Sequence, residues 1–171
     1  LSLQSLSGTH ALKTLLEELA HLRKNILDTT RAICALARTE PYASNVLYLT
    51  TISGISTLVA MILLTEIITL DRFRSLDDLA CFVGLVPGER SSGDERTMTG
   101  MTERKNRFLR WILTESAWVA IRHDESLALA FNTLSRRMPK NQAIVRIARK
   151  LLNRVRFVLK HQQPYIVLKA A

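Results

Sequence analysis

Eight positions in the first quarter of this 171-residue chain are spaced alternately by three and four residues: Leu12, Leu15, Leu19, Leu22, Ile26, Thr29, Ile33 and Leu36. That is the a/d repeat of a coiled coil, and it commits residues 9–38 to one long helix. A strand is excluded there, because alternation with period two cannot share a segment with a 3.5-residue repeat. Two packings satisfy such a seam: a coil with another chain, or an amphipathic helix laid on the rest of its own chain. Thr29 is the one polar seam position. Glu40-Pro41 closes the helix, since the residue before proline is pushed out of the α region.

Beyond that spacer, residues 1–40, the sequence reads as one compact helical domain over 41–171, and the fold class is all-α. The charge-free stretch Leu47–Thr65 has the length of a membrane span. Ser53-Gly54-Ile55-Ser56 at its middle divides it into two short helices, one ending near Thr51 and one over 57–69. Ser75 is placed to cap a helix over 76–84, with Asp77 and Asp78 in its first turn. Residues 85–102 read as loop, punctuated by Pro87-Gly88, Ser91-Ser92-Gly93 and Gly100, and no strand pattern emerges. Thr102 is placed to cap a helix over 103–122 whose Phe108, Trp111 and Ile112 face a core. Helices over 124–136 and 140–161 complete the chain, the last with Ile144, Ile147, Leu151, Val155 and Val158 on one face.

Charge is unevenly distributed. Of the net +9, residues 1–70 contribute nothing, five Lys/Arg being balanced by five Asp/Glu. The stretch 136–160 alone carries nine Lys/Arg and no acid. Either a polyanionic partner or a solvated basic face accounts for this concentration. Cys34 and Cys81 lack any C-x-x-C spacing and the four histidines are scattered, so a disulfide framework and a zinc site are both disfavoured. With no leader pattern and no span, the expected location is the cytoplasm. The chain starts at Leu1 and not Met, which is expected of a piece of a longer protein.

Three segments carry candidate chemistry. Residues 49–64, L-T-T-I-S-G-I-S-T-L-V-A-M-I-L-L, have the form of a helix-hairpin-helix. Such a turn offers backbone N–H groups at a helix N-terminus to a DNA phosphate without reading sequence, which makes Gly54 and Ser56 contact candidates. A structural helical hairpin is the alternative. In Arg90-Ser91-Ser92-Gly93, Ser91 or Ser92 is a candidate nucleophile toward phosphorus, with Arg90 and Arg96 to stabilise phosphoryl charge. Turn chemistry alone also explains Ser-Ser-Gly. The third segment, K-N-R-F-L-R-W from 105 to 111, offers Lys105, Asn106, Arg107 and Arg110 to phosphates.

In this order and spacing the motifs resemble the C-terminal domain of the Piv-type, bridge-RNA-guided insertion-sequence transposases. That family carries a hairpin I-P-G-I-G-x-x-x-A, then G-L-x-P, S-x-G, G-N-x-x-L-R and a terminal A-x-x-A-x-A-R-K-L-L helix. The counterparts are Ile52 to Ser56 with Ala60, Gly84-Leu85-Val86-Pro87, Ser91-Ser92-Gly93, Asn106 to Arg110, and Ala143 to Leu152. Ser53 and Ser56 stand where the family has proline and its second glycine, and Lys105 where a glycine is usual. The resemblance spans about residues 46–160, and the preceding helix resembles the family's coiled-coil spacer. It implies a DNA recombinase whose S-x-G serine, Ser91 with Ser92 as the fallback, attacks DNA. It also implies guide RNA as a partner; from the basic stretch Arg146, Arg149 and Lys150 are candidate DNA contacts, and a second copy is expected through the N-terminal helix. The family's RNase H-like domain, with DEDD carboxylates for a divalent metal such as Mg, has no counterpart here, so no cofactor is expected in this chain. The competing function is a non-catalytic module that grips duplex backbone.

Overall fold

A computed structural model describes residues 6–86, 88–92, 95–99 and 106–166. Helix α1 (Leu6–Leu36) is followed by α2 (Ala43–Leu49), α3 (Thr57–Ile67), a 3₁₀ turn (Leu70–Arg72) and α4 (Leu76–Val83). Strands β1 (Gly88–Ser92) and β2 (Glu95–Thr99) come next, then α5 (Arg107–His123), α6 (Glu125–Ser135) and α7 (Lys140–His161). The packed body is all-helical, as the hydrophobic periodicity requires. The charge-free stretch is divided between α2 and α3, and among the described residues no helix is long and apolar enough to cross a membrane.

The spacer helix ends at Leu36, before Glu40-Pro41, where the Thr39 hydroxyl donates to the Leu36 carbonyl at 2.8 Å. Only its last turns join the domain: Ala37 is buried, Ile33 is half-buried, and α1 packs against α3. The remainder of the seam faces solvent, with Leu15 67% and Ile26 65% exposed. Laying the whole seam on the chain's own domain is therefore not the solution adopted.

Helix α7 is the centre of the domain, with α2, α4, α5 and α6 packed around it. Its buried stripe includes Ile144, Ile147, Leu151, Val155 and Val158, the face read from the sequence. Ser75 caps α4 by accepting from the Asp78 N–H at 3.1 Å, and Gly84 ends that helix in the left-handed conformation that glycine adopts without a Cβ penalty.

Three expectations are corrected. The segment read as a loop holds an antiparallel hairpin, β1 on β2, with Gly88 opposite Thr99 and Ser92 opposite Glu95. Thr97-Met98-Thr99 brings β-branched residues to its second strand. The cap of α5 is Asn106 and not Thr102, a residue that lies outside the described ones. Phe108 and Trp111 are 49% and 56% exposed, and Ile112 is half-buried. The core face of α5 is instead Leu109, Leu113, Ala117 and Ala120, because small residues there let neighbouring backbone approach closely.

One ion pair is buried in this core. Asp124, its side chain fully covered, caps α6 by accepting from the Leu127 N–H at 2.9 Å, and Arg154 of α7 donates to both its carboxylate oxygens. The Arg154 guanidinium also lies 4.8 Å from the centre of the Tyr165 ring. Burial pushes the Asp124 carboxyl up, but hydrogen bonds from Arg154 and the Leu127 amide, with the Arg154 charge, outweigh it and hold the group below its ordinary value. A carboxyl depressed in the folded state stabilises the fold above its unfolded pKa of about 3.9, and that contribution is lost as pH falls through the folded value. Asp124→Ala, which strands a buried guanidinium, is expected to cost about 3–5 kcal/mol at neutral pH. Urea unfolding at neutral pH and at pH about 2–3 checks both points, since the gap between Asp124→Asn and the parent must narrow in acid.

Candidate nucleic-acid interface

Two turns bracket helix α3, and each is held against α5. At the N-terminal end, Ser56 caps α3, its Oγ accepting from the Val59 N–H at 3.3 Å. Gly54, at φ +89°, lies so close to α5 that an added Cβ would sit 2.3 Å from the Ser116 carbonyl oxygen and 3.0 Å from the Ala120 Cβ. Ile52 and Ile55 on either side are buried, which anchors the turn. Tyr165 adds a strut from the C-terminal segment, its N–H donating to the Thr51 hydroxyl at 2.7 Å.

At the other end, Asn106 ties three helices together. Its Oδ1 accepts from the Leu109 N–H at 3.0 Å, capping α5, and its Nδ2 donates to Glu66 Oε2 of α3 at 2.7 Å. The Asn106 backbone N–H donates to the Phe82 carbonyl of α4 at 3.2 Å. Both ends of this amide therefore carry structural bonds. Helices α3 and α5 run antiparallel, so the Gly54–Ser56 turn and the Asn106 junction are separated by the length of α3, about 16 Å.

The serine hairpin leaves the body at the Asn106 junction, between the end of α4 and the start of α5. In its backbone register Ser91 is opposite Arg96, Arg90 is opposite Thr97, and Ser92 is opposite Glu95. Lys105 lies outside the described residues. Arg107 is exposed on the first turn of α5 and Arg110 is half-buried. A cation that the sequence reading noted only in the Arg72-Phe73 lead-in to a helix, with no contact role, stands at the same junction: the Arg72 guanidinium lies 5.5 Å from the ring centres of both Phe73 and Phe82 and donates to the Ile67 carbonyl at 3.3 Å. The Arg72-Phe73 pair was its only signal in the sequence, because the Phe82 contact depends on how α4 folds back.

On α7 the basic stretch divides by role. Arg154 is committed to Asp124, and Arg149 pairs with Asp77 on the first turn of α4. Arg146 and Lys150 are exposed. Arg149 is therefore held near the start of α4, at Asp77, and the Asn106 junction near its end, at Phe82, about 7–8 Å apart along the helix axis. The candidates form separated contact points and not one pocket, an arrangement suited to a repeating backbone of phosphates. Among the described residues, no three His, Cys, Asp or Glu side chains gather as a metal site.

Residues 47–132, from α2 through α6 and including the hairpin, match the family described as Transposase IS116/IS110/IS902. Two curated relatives are similar to this chain. The transposase for insertion sequence element IS1111A of Coxiella burnetii is 29% identical over 118 residues, which is 67% of this chain and 32% of that protein. A Sinorhizobium fredii protein, y4qE, with a provisional transposase assignment, is 37% identical over 76 residues, 44% of this chain and 20% of that protein. The chain thus spans a third or less of the length of these relatives.

The geometry at Gly54 gives a direct test of its role. Gly54→Ala adds about 1–2 kcal/mol of left-handed strain and about 1–3 kcal/mol of overpacking against α5. Thermal unfolding without any nucleic acid is expected to show this loss; an unchanged melting temperature would mean that the glycine serves only an approaching ligand.

Proposed function

The chain belongs to the IS116/IS110/IS902 transposase family, and on that premise we propose that it is the DNA-gripping, serine-bearing part of a transposase. The observation that carries the proposal is the family match across residues 47–132, which takes in the serine hairpin and the basic start of α5 together. In this reading Ser91 Oγ attacks a DNA phosphorus, a phosphoserine ester forms, and the departing strand leaves with the displaced oxygen. The Ser91 proton passes to a general base, and the ester bond conserves the energy for rejoining. Arg90 and Arg96 offset charge at the phosphoryl oxygens, and the register that sets Arg96 opposite Ser91 supports that pairing of roles. Ser92 is the alternative nucleophile.

Arg107, Arg110, Arg146, Arg149 and Lys150 hold the DNA backbone, and guide RNA is a second polyanion suited to the same cations. The α3 N-terminus at Gly54–Ser56 supplies a further backbone contact in the manner of a helix-hairpin-helix. Divalent metal belongs, in this proposal, to an RNase H-like domain not contained in these residues; the described residues offer no donor set, so no step here runs through a metal ion. The site of action is chromosomal DNA in the bacterial cytoplasm.

Full-length transposase carrying Ser91→Ala is expected to lose recombination and the covalent protein–DNA adduct while retaining DNA in a gel-shift assay. If adduct and recombination survive both Ser91→Ala and Ser92→Ala, the chain is a non-catalytic gripping module.

The exposed seam of α1 supports a second copy as partner. In a parallel, in-register pair Leu12, Leu19 and Ile26 occupy a positions and Leu15 and Leu22 occupy d positions. Glu18 at g then faces Arg23 at e of the second copy, an opposite-charge contact made twice. Light scattering is expected to report a dimer for the parent chain and a monomer for Leu19→Gln with Leu22→Gln; equal masses would refute this interface.

A further inference from the structure

We propose that Phe108 and Trp111 form a stacking platform for an unpaired nucleobase at the base of the serine hairpin, an inference that rests on the nucleic-acid reading above. The two rings lie 6.0 Å apart, centre to centre, tilted by 33°, on the first turns of α5. Both residues are exposed, 49% for Phe108 and 56% for Trp111, although α5 buries Leu109 and Leu113 between and beyond them completely. The exposure is thus a property of the face and not of a poorly packed helix.

The chemistry around the rings selects the occupant. Arg107 and Arg110 alternate with the two aromatics along the chain, which sets a flat apolar surface beside cationic groups. That combination matches a nucleotide, whose base offers a π-face and whose phosphate offers a negative charge one sugar away. Glu115, exposed one turn beyond Trp111, repels phosphate from the far side. That charge distribution favours a strand running over the Arg107 side, toward Asn106.

Cutting a strand next to a duplex leaves nucleotides flanking the break without their stacking neighbours, a cost of a few kcal/mol per base. A platform at the hairpin base would hold one such base out of the helix while its phosphate is in reach of the arginines. Stacking on an aromatic face is tolerant of sequence, which suits an enzyme part that grips backbone.

The intrinsic fluorescence of the chain reads this contact directly. Of its two tryptophans, Trp118 is half-buried with its ring edge-on to Phe131 at 5.4 Å, leaving Trp111 as the exposed reporter. A short oligothymidylate is expected to quench the parent and not Trp111→Phe, whereas an abasic oligomer of equal length binds without quenching. Trp111→Ala is expected to weaken binding of the single strand by about 5- to 150-fold, the equivalent of one lost stacked base. The salt slope of binding is expected to stay unchanged in Trp111→Ala and to fall by about 1 in Arg107→Ala. Trp111→Phe, which keeps a ring, should restore most of the affinity, and loss for a duplex of equal length should stay within roughly twofold.

If anisotropy shows oligothymidylate bound but neither quenching nor a Trp111→Ala effect appears, the platform is refuted and the rings face another protein surface. If no oligonucleotide binds at all, the nucleic-acid reading fails with it.

Discussion

The antiparallel seating of α3 on α5 governs where everything else in this chain can act. At one end the backbone of Gly54 meets the backbone of α5, an approach that any Cβ would block. At the other end the Asn106 amide bonds Glu66. With both ends pinned, neither helix can slide along the other without breaking a steric fit or a polar network. The turn at Gly54–Ser56 and the root of the serine hairpin are therefore held at a fixed separation, set by α3's eleven residues. In the proposed function that fixed separation acts as a ruler, since the phosphates of a nucleic acid are themselves regularly spaced.

Seen from α7, positive charge falls into two populations. Arg154 is enclosed with Asp124 and stacks on Tyr165, and it serves the interior. Arg149 is partly spent on Asp77. The nine Lys/Arg of residues 136–160 thus overstate what a polyanion meets, because two of them are paired with carboxylates far away in sequence. The exposed remainder, Arg146 and Lys150 among them, lies on the side of α7 opposite its buried stripe, which is why one helix can be both the core of the domain and part of its charged surface.

Much of this was legible in the sequence, and for identifiable reasons. The 140–161 helix was readable because its apolar positions repeat at helical spacing, and the Ser75 cap because capping is a local bond three residues long. The seam of α1 was equally plain; what the periodicity left open was its partner, and the structure excludes the chain's own domain for most of its length. The hairpin at 88–99 was missed since Pro, Gly and Ser punctuation marks loops and hairpins alike, and its β-branched signal is confined to two threonines of one strand. The structural role of Asn106 was not legible, because nothing local reveals a bond to Glu66, forty positions away. Phe108 and Trp111 were assigned inward on hydrophobicity alone, whereas the small residues Ser116, Ala117 and Ala120 decide which face of α5 can be approached closely.

The surfaces left incomplete complement the interior. The core is closed by Leu and Ile stripes and by a satisfied ion pair, so the exposed apolar groups are not the sign of a deficient fold. Many lie along the free length of α1, Phe108 and Trp111 form a pair at the start of α5, and others such as Leu47, Ile68 and Leu129 are scattered; in chain order the α5 pair follows a ribbon of only two strands. A two-stranded ribbon draws little stability from its own pairing. Side chains carried on one depend for their position on what the ribbon is rooted in and what it touches. The root is the Asn106 junction, where three helices and the Arg72 stack converge. Rigidity is thus concentrated in the helical junction that precedes and follows the ribbon in the chain, and not in the ribbon's own pairing.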